Sequence, residues 1–317
     1  MRSQYFRLSI TNQCTLNCYF CHNEGQNKGR LPGEFLSCDD IVWVCNQMQE
    51  QGFTKFKLTG GEPLLRKDLP RIISRLCEIR INDLSIITNG TLLEHRIASL
   101  CDAGLPRLNI SLYSISPDLF KIHNGGTAKQ LSAVMRGIDA AIAHGYSDIK
   151  INYVFHGKER IDDFKAVLKY VGERDLTLVT LPLIPINAKP SDEYVSLQQL
   201  YSIINGIGIV DEKTVVDAEG IHRRLIKTAN GCKILLRLDE LKDCTPYPHC
   251  NSCENKSECR EGIFPLRMSS DGFFRPCLAG GRGFVDVKPI IYARNQQAFS
   301  KVVMSIIDSR GDNVSLS

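Results

Sequence analysis

Short β-branched or apolar runs alternate along the chain with stretches whose apolar residues recur at helical spacing. The runs are 5–11, 55–59, 84–88, 108–112, 149–155 and 176–183, and the helical patterns between them are 39–51, 69–79, 93–103, 131–144 and 161–171. Gly52, Gly104 and Gly145 follow three of the predicted helices, where a glycine can end the last turn. Strands alternating with helices of this length imply parallel pairing and right-handed crossovers. Six units are too few to close an eight-stranded barrel. The expected fold is therefore α/β, a partial (β/α)6 TIM barrel open along one side, with its chemistry on the loops at the C-terminal ends of the strands.

After about Asn205 the rhythm breaks. Residues 206–317 offer one short strand at 233–238, a loop crowded with Cys, Pro, Asn and His, and two more strands at 264–269 and 273–276 around Asp271-Gly272. The expected organisation is a barrel domain over 1–205 and a smaller C-terminal domain over 206–317, with 308–317 as a loose tail.

Composition adds little until the cysteines are counted. The 39 basic and 35 acidic residues leave a net charge of +4, too even for a nucleic-acid polymer binder. The longest apolar stretch, 176–186, holds two prolines and falls well short of the roughly 20 residues of a membrane span. The start, Met-Arg-Ser-Gln-Tyr-Phe, carries no charged-then-apolar leader, so a reducing cytoplasm is expected. There, 13 cysteines suggest metal binding more than disulfides.

Cys14, Cys18 and Cys21 fall within eight residues on the loop after the first strand. Structural zinc usually takes four protein ligands, and only His22 stands nearby as a fourth. Three thiolates suit a four-iron cluster with one iron left open. Cys-x3-Cys-x2-Cys, with aromatic Phe20 before the last cysteine, resembles the signature of the radical S-adenosylmethionine (SAM) superfamily. Gly60-Gly61-Glu62-Pro63, at the end of the second strand, is similar to that superfamily's segment whose backbone contacts the methionyl part of SAM. The resemblance implies a SAM-binding 4Fe-4S cluster on the three cysteines.

Within the superfamily the chain most resembles the molybdenum-cofactor GTP 3′,8-cyclase family. The segments carrying this are 55–69, Ile86-Ile-Thr88-Asn89-Gly90, Leu108-Asn-Ile-Ser111-Leu-Tyr113, with Tyr113 replacing the usual Asp, and Lys150-Ile-Asn152. The resemblance puts Phe20, Gly61, Ser111 and Asn152 at SAM-contacting positions and Lys57, Lys150 and Arg267 at substrate-binding ones. Polar residues at strand ends also commonly satisfy backbone groups, which is the plainer reading of Ser111 and Asn152.

The family carries a second 4Fe-4S cluster on three cysteines. Here the distal group has four, Cys250, Cys253, Cys259 and Cys277, as in the twitch and SPASM extensions of peptide- and sugar-modifying relatives. Four thiolates would saturate the cluster and leave it electron relay or structure; structural zinc is the alternative. Gln13 and Pro265 stand where the family has arginines, which removes bidentate phosphate donors. The expected function is hydrogen abstraction from a nucleotide or other anionic small molecule by a 5′-deoxyadenosyl radical, with a reductant such as flavodoxin or ferredoxin as partner. Modification of a ribosomally made peptide is the alternative, and a zinc-stabilised binding protein the non-catalytic one.

Overall fold

The structure is a computed structural model that describes residues 4–22, 35–183, 195–216, 222–237, 265–275 and 284–308. The six expected strands are all present: β1 (Gln4–Ser9), β2 (Phe53–Thr59), β3 (Asp83–Thr88), β4 (Arg107–Ser111), β5 (Ile149–Phe155) and β6 (Thr177–Pro182). Between them run α1 (Cys38–Glu50), α2 (Leu69–Glu78), α3 (Leu93–Asp102), α4 (Pro117–Asn124), α5 (Ala128–Ala143) and α6 (Ile161–Gly172). Local chemistry sets their ends. Ser37 with Asp40 and Thr127 with Gln130 form capping boxes that open α1 and α5. Gly52, Gly104 and Gly145 lie at positive φ past α1, α3 and α5, as their place in the sequence predicts.

The rest of the described chain is α7 (Leu197–Ile207), β7 (Ile209–Val216), β8 (His222–Thr228), β9 (Lys233–Arg237), β10 (Pro265–Met268), β11 (Phe273–Arg275), β12 (Val285–Asp286), α8 (Lys288–Tyr292) and α9 (Gln296–Asp308). All strands join one sheet in the order β12-β11-β10-β1-β2-β3-β4-β5-β6-β9-β8-β7. From β10 to β9 every pairing is parallel, and antiparallel hairpin strands extend both ends. The sheet does not close. Strands β9 and β10, from the part of the chain beyond 206, thus continue the parallel sheet at both of its ends. α4, α7, α9 and the β7–β8 hairpin are absent from the sequence reading, and α7 runs across the expected boundary at 205.

Strand alternation separates two faces. Phe6, Leu8, Phe56, Leu58, Leu84, Ile86, Leu108, Ile110, Ile149 and Ile151 are buried in the core shared with the helices. Their neighbours on the other face include Arg7, Lys57, Ser85, Asn109, Lys150 and Asn152. The interior of a closed barrel is normally filled by branched apolar side chains. Here it is polar and cationic, so it is built to hold something other than itself. No helix among the described residues is long and apolar enough to cross a membrane.

Candidate functional site

The loop carrying Cys14, Cys18 and Cys21 leaves β1 and is fastened on three sides. From the β3 side, Asn89 Nδ2 donates to Thr15 Oγ1 at 2.9 Å and to Cys14 Sγ at 3.5 Å, and Thr15 Oγ1 pairs with Thr91 Oγ1 at 2.7 Å. From the C-terminal end of α4, the Asn124 carbonyl accepts from Asn17 N at 2.9 Å, the His123 carbonyl accepts from Tyr19 N at 3.3 Å, and Asn124 Nδ2 donates to Cys18 Sγ at 3.2 Å. Gln130, on α5, donates from Nε2 to the Thr15 carbonyl at 3.1 Å. Asn89 lies in a segment quoted for the family resemblance but was given no role, and Asn124 and Gln130 were not singled out from sequence, because single amides carry no spacing signature.

On the third side is the Gly-Gly-Glu-Pro segment. Gly61 N donates to the Thr11 carbonyl at 2.8 Å and Glu62 N to the Gln13 carbonyl at 2.6 Å. A Cβ on Gly60 or Gly61 would collide with the backbone at Thr11 and Gln13, and Gly60 also has φ near +151°. The close approach that needs glycine is therefore one within the protein, between β2's exit and the cysteine loop. Glu62 is 0% exposed. Its Oε1 accepts from Thr88 Oγ1 at 2.7 Å and Leu64 N at 3.0 Å, and its Oε2 from Asn89 N at 2.7 Å. Burial pushes this carboxyl up to about 7 against those three donors. Its side chain joins β2 to β3, and Pro63 opens the turn that follows.

Burial raises the Cys14 thiol, with Glu62 and Cys21 adding to it, and pushes Cys18 up to about 12, with Cys21 and Cys14 adding to it. Among the described residues, however, no three His, Cys, Asp or Glu side chains close around a single ion. A four-iron cluster takes one thiolate at each of three corner irons, so its ligands need not meet around a single ion. Amide donors on Cys14 and Cys18 suit thiolate ligands, whose hydrogen bonds tune such clusters. The residues present fit a four-iron cluster.

Beside the loop, Phe20 packs edge-on against Tyr113 with ring centroids 5.0 Å apart and lies 4.9 Å from His156. Burial is the main cause that raises the Tyr113 phenol, with Cys18 adding to it and the nearby Ser111 side chain opposing it. Ser111 and Asn152 are ladder partners across β4 and β5. Lys57, Lys150 and Asn152 line one cavity of about 100 Å³, with Lys55, Arg107, Arg223 and Asp148. Arg267 is not on that wall. It sits in register with Arg7, which is in register with Lys57 on its other side and so belongs to the same row. Arg275 continues the row on β11. Arg7 and Arg223 were missed in the sequence because each lies in a strand with no motif around it; Arg275 stands beside the distal Pro276-Cys277 but was given no role there. Cys250, Cys253, Cys259 and Cys277 lie outside the described residues.

Residues 8–171 match the Radical SAM superfamily. A "Probable GTP 3′,8-cyclase" of Methanococcus maripaludis is 31% identical over 96% of this chain and 94% of that protein. Another of that name, from Sulfolobus acidocaldarius, is 33% identical over 90% and 84%. Among solved structures, Streptococcus suis SuiB bound to S-adenosylmethionine superposes with a TM-score of 0.62 at 16% identity, covering 96% of this chain and 66% of that one, a likeness of fold alone. The motif on the loop, its fit to a cluster and these matches agree: the chain is an enzyme of the radical SAM superfamily, belonging with the GTP 3′,8-cyclases.

Proposed function

We propose that this enzyme abstracts hydrogen from a nucleotide held by its phosphates on the basic inner face, leading to a cyclisation or rearrangement like that named for its relatives. The observation that carries this reading is the row Lys57–Arg7–Arg267–Arg275, four cations in register on adjacent strands. Arg267 and Arg275 are only 3% and 5% exposed. Guanidinium and ammonium donors side by side on adjacent strands suit a polyanion such as a polyphosphate. Arg7 and Arg275 supply bidentate donors that Gln13 and Pro265 do not, which brings GTP back as the first substrate to test. The cavity beside the row is smaller than the ~300–1,000 Å³ of pockets that enclose a whole ligand, which suits one end of a substrate.

When bound, the 4Fe-4S cluster and SAM supply a 5′-deoxyadenosyl radical. Cys14, Cys18 and Cys21 would hold the cluster; Phe20, Ser111, Asn152 and the backbone of Gly60 to Pro63 would hold SAM. Lys57, Lys150 and Arg267 would hold the substrate, and the surrounding barrel would keep water from the reacting atoms. The distal cysteines Cys250, Cys253, Cys259 and Cys277 would hold a second 4Fe-4S cluster, with flavodoxin or ferredoxin as electron donor.

The test is anaerobic 5′-deoxyadenosine formation from SAM and dithionite in the presence of GTP, GDP, guanosine and unrelated peptides. Stimulation by GTP that falls from GTP to guanosine is expected, as is loss of all product on replacing Cys14, Cys18 and Cys21 by Ala. Stimulation by peptides alone would overturn the nucleotide reading.

A further inference from the structure

His156 follows the last residue of β5 and is 1% exposed. Its Nδ1 lies 2.9 Å from the Tyr19 hydroxyl, its ring stacks on His123 with centroids 4.0 Å apart and planes 18° apart, and Phe20 and Tyr113 pack around it. Burial, then the neighbouring His123 and Arg160, push the imidazole down to about 3. At neutral pH it therefore holds one proton, and one ring nitrogen donates while the other accepts. Tyr19 satisfies Nδ1. Nε2 is buried and has no hydrogen-bond partner.

An orphaned buried nitrogen costs roughly 1–3 kcal/mol, and native structures keep few of them. An apolar ring would fill the same space without that cost, so packing alone does not explain His156. The orphan lies within the aromatic group that includes Phe20, beside the cysteine loop. We infer that His156 is a SAM-recognition residue whose Nε2 exchanges a hydrogen bond with the adenine end of SAM. A purine edge offers donors and acceptors side by side, so it can satisfy either tautomer, and a flat base suits an aromatic surround. This inference rests on the reading of Cys14, Cys18 and Cys21 as the ligands of a SAM-binding cluster.

The test compares two probes on the reconstituted protein: SAM, and methionine, which offers an open iron the same amino and carboxylate groups but has no adenine. Dissociation constants come from anaerobic titration followed by electron paramagnetic resonance of the reduced cluster. His156→Phe should weaken SAM about tenfold, equivalent to ~1.4 kcal/mol, and leave methionine within about twofold. His156→Gln, which keeps a donor and an acceptor, should retain most of the SAM affinity; it carries the comparison should the Phe variant take up less iron. Unchanged SAM affinity, or equal weakening of both probes, would overturn the inference. Failure of both probes on the unmodified protein would instead overturn the cluster assignment beneath it.

Discussion

A single methyl group added at Gly61 has nowhere to go, because the Gln13 carbonyl already occupies the space. Gly61→Ala should therefore push the cysteine loop off β2, costing roughly 1–3 kcal/mol as an overpacking change. The variant should fold by circular dichroism but retain much less iron after reconstitution; full iron retention would contradict the account. The motif was legible at this scale because glycines and cysteines stand in fixed spacing. Their reason was only half legible, since the sequence suggests room for a ligand and the structure also shows room for Thr11 and Gln13. The Glu62 carboxylate was read as part of a cofactor segment, yet its bonds all go to Thr88, Asn89 and Leu64. Thr88 and Asn89 are distant in sequence and leave no local trace.

Among the elements, α4 has the largest effect for its length. It is eight residues long, opens on Pro117 and ends at Gly125 in the left-handed region. Its last residues carry the His123 and Asn124 contacts to the cysteine loop. Losing the amide on the Cys18 sulfur removes a hydrogen bond that stabilises the reduced, more negative cluster. Asn124→Ala should thus lower the cluster's reduction potential, measured by anaerobic redox titration, and leave overall stability within about 1 kcal/mol. An unchanged potential would show that the bond does not tune the metal. α4 escaped the sequence reading because so short a helix shows barely two turns of periodicity. β7 escaped for another reason: Asp211, Glu212 and Lys213 interrupt its apolar run, as suits an outermost strand exposed to water. α9 was legible in principle, since Phe299, Val303 and Ile306 recur at helical spacing, and those residues pack as that spacing requires.

At the scale of the whole molecule, polar side chains from most of the parallel strands face inward, so electrostatics should govern what enters. Tripolyphosphate is the plain probe of this. It should bind the protein without SAM, weaken as salt rises, and lose about tenfold in affinity when Arg7 is replaced by Gln, which is ~1.4 kcal/mol. Binding that ignores both salt and Arg7 would mean that the row does not meet the anion. The six-strand repeat of the barrel was legible because each strand meets its sequence neighbour. The two parallel strands added at its ends were recognised as strands and not as members of the sheet, because β10 pairs with β1 at the far end of the chain and β9 pairs with β6 across an intervening helix and hairpin.

That last pairing bears on how the chain is made. Tyr5 and Phe6 pair with Pro265 and Leu266, and Leu36 N donates to the Ser270 carbonyl. During synthesis the outer edge of β1 stays unpaired until β10, some 260 residues further on, has left the ribosome, while the loop with Cys14, Cys18 and Cys21 follows β1 directly. Contacts so distant in sequence close slowly, and an open strand edge invites association with other chains. The nascent protein thus carries three exposed thiols and an uncovered edge together until that strand arrives, and shielding both is a demand this topology places on the cell.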